Sequence, residues 1–294
     1  LARSDRLDRG RRTSPDDEAL AVQHDDLGAG FRDVDGASPA HLASWLDVLS
    51  AHPDFRKSKS ETVAALELGS GMSALDIGCG LGDEARAMAH LVSPGGTAIG
   101  LDASSALVDA ARARTSEQAL PALSLMVADA HALPLNDKSM DAVRIERTLQ
   151  HVENPVSVVR EAARVLRPGG RLVVWEPDWD TLVVAGEPAS VGRVVTGRRA
   201  AAFRNPTIGR DLPRLALLAG LEITRVEAAR HLVRDPRLGE AQFSLENEAR
   251  AAVTEGVLDE HHSTEWIADL ERRSLEGSYL VALGAILLVA EAPA

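Results

Sequence analysis

Between Ser73 and Glu176 short β-rich runs alternate with amphipathic helical stretches, and this rhythm constrains the fold more than any other feature of the chain. The runs SALDI (73–77), TAIGL (97–101), LSLMV (123–127), MDAVRI (140–145) and RLVVWE (171–176) read as strands. Asp83–Leu91, Ser104–Arg114 and Pro155–Leu166 read as helices between them. Strand–helix alternation at this spacing implies right-handed βαβ crossovers and a mostly parallel sheet. The punctuation agrees: Ser93-Pro94-Gly95-Gly96 and Arg167-Pro168-Gly169-Gly170 each stop a helix before the next strand.

Outside this stretch the pattern changes. Residues 16–68 look helical, with Leu42, Trp45, Leu46 and Leu49 at helical spacing. After the fifth strand, residues 178–209 loosen around a basic stretch, Arg193 to Arg204. A helix at Asp211–Ala219 leads into the strand LEITRVEAARHLV, and residues 238–276 read as helices inserted before an apolar run, Leu280 to Ala290. That run is far shorter than the ~20 residues of a membrane-spanning helix and looks like a buried strand. The expected organisation is an N-terminal arm (1–15), solvated and mobile, a helical cap (16–68), and an α/β core (69–294) with a helical insertion at about 238–276. The two helical pieces would cover the sheet's carboxyl edge, where open α/β folds bind ligands.

Composition narrows the function. Lysine plus arginine number 32 and aspartate plus glutamate 44, a net charge of −12. A chain this acidic repels phosphate backbones, so neither nucleic acid nor membrane insertion is expected. The single Cys79 excludes an intramolecular disulfide and a cysteine-ligated zinc site, and fits a reducing cytoplasm. The start LARSDRLDRGRR carries neither a Met nor the apolar stretch of a signal peptide, and the missing Met reads as a trimmed or engineered start.

The most informative local motif is Leu75-Asp76-Ile77-Gly78-Cys79-Gly80-Leu81-Gly82-Asp83-Glu84, running from strand through glycine-rich turn to helix. A dinucleotide fingerprint would need glycine at 83, and a phosphate-cradling loop would end in Lys-Ser or Lys-Thr. Asp83 and Glu84 suit the first turn of a helix but compete with a pyrophosphate for its amides. The glycines therefore suit a ligand that approaches the backbone without phosphates, the alternative being a tight structural turn. Asp102 at the end of the second strand can accept from ribose hydroxyls, and Asp129 after the third can accept from an exocyclic amine.

This ordered set resembles the class I S-adenosylmethionine-dependent methyltransferases, of the ubiquinone-methyltransferase-like, small-molecule type, over residues 63–292. LDIGCGLG resembles their first motif, IGLDAS their ribose-binding strand end and VADAHALPL their adenine-binding segment. The resemblance implies a Rossmann-like, seven-stranded, mostly parallel sheet flanked by helices. Asp76 would order the loop or meet the methionine amino group. Gly78 and Gly80 would admit the cofactor, Asp102 with Ala103 would hold the ribose, and Asp129 with Ala130 would read the adenine. Arg147 would contact the methionine carboxylate, the alternative being an ion pair with Glu146 or Glu153. The cofactor expected is S-adenosylmethionine, leaving as S-adenosylhomocysteine, with no metal: His261-His262 lacks metal-ligand spacing.

The expected acceptor is a small molecule, a hydroxyl of a secondary metabolite or quinone-like compound. Transfer to nitrogen or carbon stays open, as does a cofactor-binding protein that transfers no methyl group, such as a partner protein or a cyclase, and a homodimer is also open. His151, following the fourth strand, is the candidate general base, the alternative being a pocket-lining or turn-capping histidine. Aromatic residues are only 3% of the chain. Trp179, just past the fifth strand, is the candidate substrate wall, while Trp175 reads as core. Trp45, Phe31 and His41 are candidates on the N-terminal segment, Trp45 reading as core as well, and Arg204 or Arg210 on the far wall.

Overall fold

The computed structural model describes residue 35, residues 39–116 and residues 120–294. Phe31, the arm 1–15 and the side chain of His41 lie outside the described residues. Two helices, α1 (Pro39–Ala51) and α2 (Pro53–Ala65), precede the first strand. The alternating region follows as β1 (Ser73–Ile77), α3 (Asp83–Val92), β2 (Thr97–Asp102), α4 (Ser105–Thr115), β3 (Leu123–Val127), β4 (Met140–Glu146), α5 (Pro155–Val165) and β5 (Leu166–Pro177). Beyond it come the two-residue β6 (Val183–Val184), α6 (Ala189–Ala201), α7 (Ile208–Leu218), β7 (Glu222–Val233), α8 (Pro236–Phe243), α9 (Leu245–Thr254), α10 (Glu260–Leu275) and β8 (Val281–Glu291).

The helices start where their caps are. Ser104 Oγ accepts the Leu107 amide at 3.1 Å ahead of α4, and Asn154 Oδ1 accepts the Ser157 amide at 3.1 Å ahead of Pro155 in α5. The stripe Val158, Val159, Ala162 and Val165 then faces the sheet fully buried. Each of those valines contributes roughly 1.5–3 kcal/mol relative to exposure. On the same side α7 buries Ile208, Leu212, Leu215 and Ala216, so α5 and α7 share one core with β1, β4 and β5.

Strands β1 to β5 are parallel in the order β3-β2-β1-β4-β5, as the alternation requires. Strand β8 runs antiparallel between β5 and β7, and β6 adds a two-residue ladder beside its start. The sheet thus holds the seven expected strands and one short addition. One boundary differs from expectation. Arg167-Pro168-Gly169-Gly170 does not precede β5 but lies within it: Met140 faces Leu166, Ala142 faces Arg171, and the register shifts between them. Gly169 takes a φ of 73°, and main-chain bonds to Ala292 hold the irregular segment in the sheet. The strand therefore begins before the proline and bulges around it.

All five parallel strands point their carboxyl ends to one edge. There α1, α2, α6 and α8 surround a cavity of about 520 Å³, whose lining runs from the glycine turn to Trp179 and Phe203. Its size is ordinary for a small-molecule site. Among the described residues no helix is long and apolar enough to cross a membrane, and no group of three or more His, Cys, Asp or Glu could hold a metal ion.

Candidate active site

The turn between β1 and α3 forms one end of the cavity. Gly78, Gly80 and Gly82 all have positive φ (75°, 51° and 75°), which glycine adopts without cost. At Gly78 space forbids a side chain as well, since a Cβ would come within 2.1 Å of Thr148 Oγ1. Four of the turn's amides are already spent. Those of Gly78 and Cys79 donate to Leu101 O at 2.8 and 2.9 Å, Gly82 donates to Cys79 O at 2.8 Å, and Gly80 donates to Asp102 Oδ2 at 2.9 Å. A phosphate-binding loop needs such amides free and aimed at the anion. Asp83 and Glu84 add to the mismatch, pairing with Arg86 and, at 2.9 Å, with Lys59.

Asp102 clasps the turn from the end of β2. Its Oδ1 accepts the Ser104 amide at 3.0 Å, so the carboxylate links the glycine turn to the start of α4. Burial raises its pKa, against the opposing effect of these amides. Asp35, which the sequence pattern did not single out, caps the same helix. It accepts from Ser104 Oγ at 2.5 Å and from Ser105 N and Oγ at 2.9 Å each, and these bonds hold its pKa down to about 2.

Past β3, Asp129 Oδ1 accepts the His131 amide at 2.9 Å and meets His131 Nδ1 at 2.6 Å, which keeps the carboxylate below its ordinary range. His131 Nε2 accepts the Asn154 amide at 3.2 Å, so Nδ1 carries the proton and donates to Asp129. Ala103, Ala128 and Ala130 line the same part of the cavity.

Under the turn lies a buried charged network. Arg144, in the middle of β4, meets Asp76 at 2.8 Å, Thr62 Oγ1 at 2.9 Å and the Glu146 carboxylate. Asp76 is fully enclosed, its pKa raised to about 6 by burial against the pull of Arg144, so it lies behind the cavity wall rather than on it. Arg147 does line the cavity. Its guanidinium pairs with Glu146, donates to Ser58 Oγ at 3.2 Å, meets His231 Nε2 at 2.5 Å and lies 4.3 Å from the ring centroids of both Phe55 and Trp175. Trp175 is core, 1% exposed. Glu176 Oε1 accepts the Thr148 and Leu149 amides at 2.7 and 2.6 Å and so fixes the turn that carries Arg147 and His151. Burial pushes its pKa up to about 8, so its carboxyl is mostly protonated at neutral pH.

The other end of the cavity is aromatic. Trp179 stacks on Phe203 with centroids 3.9 Å apart and donates from Nε1 to Gln150 Oε1 at 2.8 Å. The His151 ring lies 5.7 Å from Phe203, and the Arg199 guanidinium lies over both rings, 5.6 Å from Trp179 and 5.1 Å from Phe203. Trp45 donates to Ala241 O at 2.7 Å, joining α1 to α8 across the opening, and Arg204 pairs with Glu153 at 3.2 Å. Arg210 lies outside the lining, bonded to Asp178. The structure thus brings Gly78, Gly80, Asp102, Asp129, Arg147, His151, Trp45, Trp179 and Arg204 around one cavity. Sequence reasoning missed Phe55, Arg199, Phe203, His231 and Gln242; the basic stretch 193–204 was the one visible trace of them.

These residues fit a nucleoside cofactor that carries positive charge and no phosphate. The turn offers close backbone approach with four of its amides already bonded, and Glu84, Asp102 and Asp129 supply carboxylates at that end. A methyltransferase-domain family profile matches residues 75–174. The 37.1 kDa protein of transposon TN4556 in Streptomyces fradiae is 40% identical over 85% of this chain and 71% of its own length. Demethylmenaquinone methyltransferases are 34% identical in Shouchella clausii, over 46% of this chain, and 32% in Lactococcus lactis, over 49%. The chain spans only 57% and 58% of those two relatives. Among solved structures, phosphoethanolamine N-methyltransferase 2 of Haemonchus contortus in complex with S-adenosyl-L-methionine has a TM-score of 0.59 at 16% identity, covering 90% of this chain and 60% of that one. The cyclase SpnF has a TM-score of 0.52 at 24% identity, covering 81% of each chain. These two structures share the fold. From the strand order, the phosphate-free turn and the matched profile, the chain belongs to the class I S-adenosylmethionine-dependent methyltransferases.

Proposed function

We propose that the chain transfers a methyl group from S-adenosylmethionine to a hydroxyl of a small, largely apolar molecule, as in secondary or quinone metabolism. The observation that carries this reading is one continuous cavity, with the turn and Asp102 at one end and the Trp179–Phe203 wall with His151 at the other. Asp102 would accept from the ribose hydroxyls, Asp129 and the Ala130 amide would read the adenine, and Gly78, Gly80 and Ala103 would give the backbone room. When bound, the cofactor supplies an electrophilic methyl group on sulfur. The chain's own task is then alignment of the acceptor and removal of its proton. His151 is the base in this reading, placed by the turn that Glu176 fixes. Asp76 acts from behind the wall, through Arg144.

Calorimetry with S-adenosylmethionine, followed by mass spectrometry of mixtures with phenols, amines and carboxylic acids, tests the proposal. Cofactor binding with a methylated phenol and S-adenosylhomocysteine as products supports it; methylated amines alone would redirect it to nitrogen. The fold likeness to SpnF favours a second reading, a cofactor-binding protein that leaves the methyl group in place. That reading predicts cofactor binding and acceptor turnover with no S-adenosylhomocysteine formed.

A further inference from the structure

Two glutamines line the cavity, and they differ in what holds them. Gln150, at the turn after β4, is bonded through both ends of its amide. Its Oε1 accepts from Trp179 Nε1 at 2.8 Å and its Nε2 donates to Arg147 O at 3.2 Å. That amide is structural: it ties the turn to the aromatic wall. Gln242, on α8, is 5% exposed, and its Oε1 accepts nothing among the described residues.

The backbone around Gln242 is nevertheless well fixed. Trp45 and Arg199 donate to the carbonyls of Ala241 and Gln242 at 2.7 and 3.2 Å. The next residue, Phe243, is fully buried and packs edge-on against Trp179, with centroids 6.2 Å apart. At Gly239 a Cβ would come within 2.0 Å of the Tyr279 hydroxyl, so α8 lies close against the segment before β8. The helix thus holds the Gln242 side chain at the aromatic end of the cavity.

Burying an amide oxygen without a donor costs free energy. Most other unbonded polar atoms in the core belong to side chains placed there for a different reason. Trp175, Trp266 and His231 bury a ring, while Asp76 and Glu176 are held through their other oxygens. A glutamine brings an apolar wall nothing that leucine or methionine would not bring better, apart from its amide. An acceptor placed in a cavity wall and left without a donor is suited to one carried by a ligand.

We infer that Gln242 determines specificity for the methyl acceptor, its Oε1 accepting a hydrogen bond from a hydroxyl or N–H other than the group that is methylated. This inference rests on the reading of the cavity as a methyl-transfer site. The acceptor then carries two polar groups, a nucleophile towards the cofactor end and an uncharged donor towards α8, with the ring between them against the Trp179–Phe203 wall.

Matched probes test it. 1-Naphthol and its 1,3-, 1,5-, 1,6- and 1,7-diols share one hydroxyl and place a second at four positions. Their affinities for the full chain are measured by calorimetry in the presence of S-adenosylhomocysteine. At least one diol is expected to bind about threefold or more tightly than 1-naphthol. Both partners are uncharged, so the gain should be the same at pH 6 and at pH 8. Gln242→Leu and Gln242→Met should erase it and leave S-adenosylhomocysteine affinity unchanged. Both should also melt at or above the wild-type temperature, since each removes an amide left without its donor. A smaller gain for every diol, or no binding of any probe at about 1 mM, would overturn the inference. So would a gain that survives in either variant. A lowered melting temperature or failure to fold in both variants would mark Gln242 as structural and overturn it as well. Failure of S-adenosylhomocysteine to bind the wild-type chain counts against the methyl-transfer reading, whereas its binding without a diol gain counts against this one.

Discussion

At the glycine-turn end of the cavity, Gly78, Gly80 and Asp102 are fixed by turn amides that donate to Leu101 O and to the Asp102 carboxylate at the end of the neighbouring strand. At the aromatic end, Trp45, Phe55, Trp179, Arg199, Phe203 and His231 arrive from α1, α2, the segment after β5, α6, the turn after α6, and β7, and side-chain packing holds them. One end is backbone built by consecutive βα units. The other is an assembly of elements far apart in the chain. The difference explains why the family is readable at the first end while the acceptor is written at the second: a backbone cradle tolerates many sequences around it, and a side-chain chamber changes with every residue.

The sharpest test of the division is His151→Ala. If the acceptor is a hydroxyl, kcat should fall about 100- to 10,000-fold, with cofactor affinity unchanged and the pH-dependent limb of the rate gone. An unchanged kcat and pH profile would remove His151 as base. Arg144→Met probes the network beneath the cofactor end. It strands the buried Asp76 and removes one partner of Glu146, and should cost about 3–5 kcal/mol of stability in denaturant unfolding. An unchanged midpoint would show the network to be dispensable.

Asp102→Ala should weaken S-adenosylmethionine by about 1.5–3 kcal/mol in calorimetry, through lost charge-assisted bonds and a loosened turn. It should leave acceptor binding alone; a loss at both ends would join what the comparison separates. The smallest effect, seen below about pH 4.5, is expected for Glu176→Gln, which keeps an Oε1 for the Thr148 and Leu149 amides. The Glu176 pKa is raised from 4.5 to about 8 in the folded chain, so the folded state holds the extra proton. Its stabilising contribution is therefore complete below about pH 4.5 and is lost as pH rises through 8. The melting temperature of Glu176→Gln relative to wild type should climb between pH 5 and 9, and a constant difference would contradict the raised pKa.

The same division governs what was legible. The strands β1 to β4 and the roles proposed for Asp102 and Asp129 follow from local pattern, since their partners are close in sequence or on the adjacent strand. Arg144 was silent within MDAVRI because its partners Asp76 and Thr62 lie 68 and 82 residues away. Phe203 and Arg199 were lost in a basic stretch because helical periodicity alone does not say what α6 packs against. The Pro-Gly-Gly segment misled for a related reason. Its turn chemistry is local, but the bonds from Gly169 and Gly170 to Ala292 that absorb it into β5 are not.

Strand β8 has a consequence for the order in which the molecule can form. It follows every other described element in sequence, yet it sits between β5 and β7, with Arg171 and Glu291 bonded across 120 residues. Closing so long a loop is entropically expensive and slow, whereas β1, β2 and β3 pair across short crossovers. During refolding, pulse-labelled amide exchange should find β1, β2 and β3 protected before β8. The chamber is then finished only when β8 docks, bringing Leu283 to its wall, so a folding chain should gain its cofactor cradle before it has anywhere to put an acceptor.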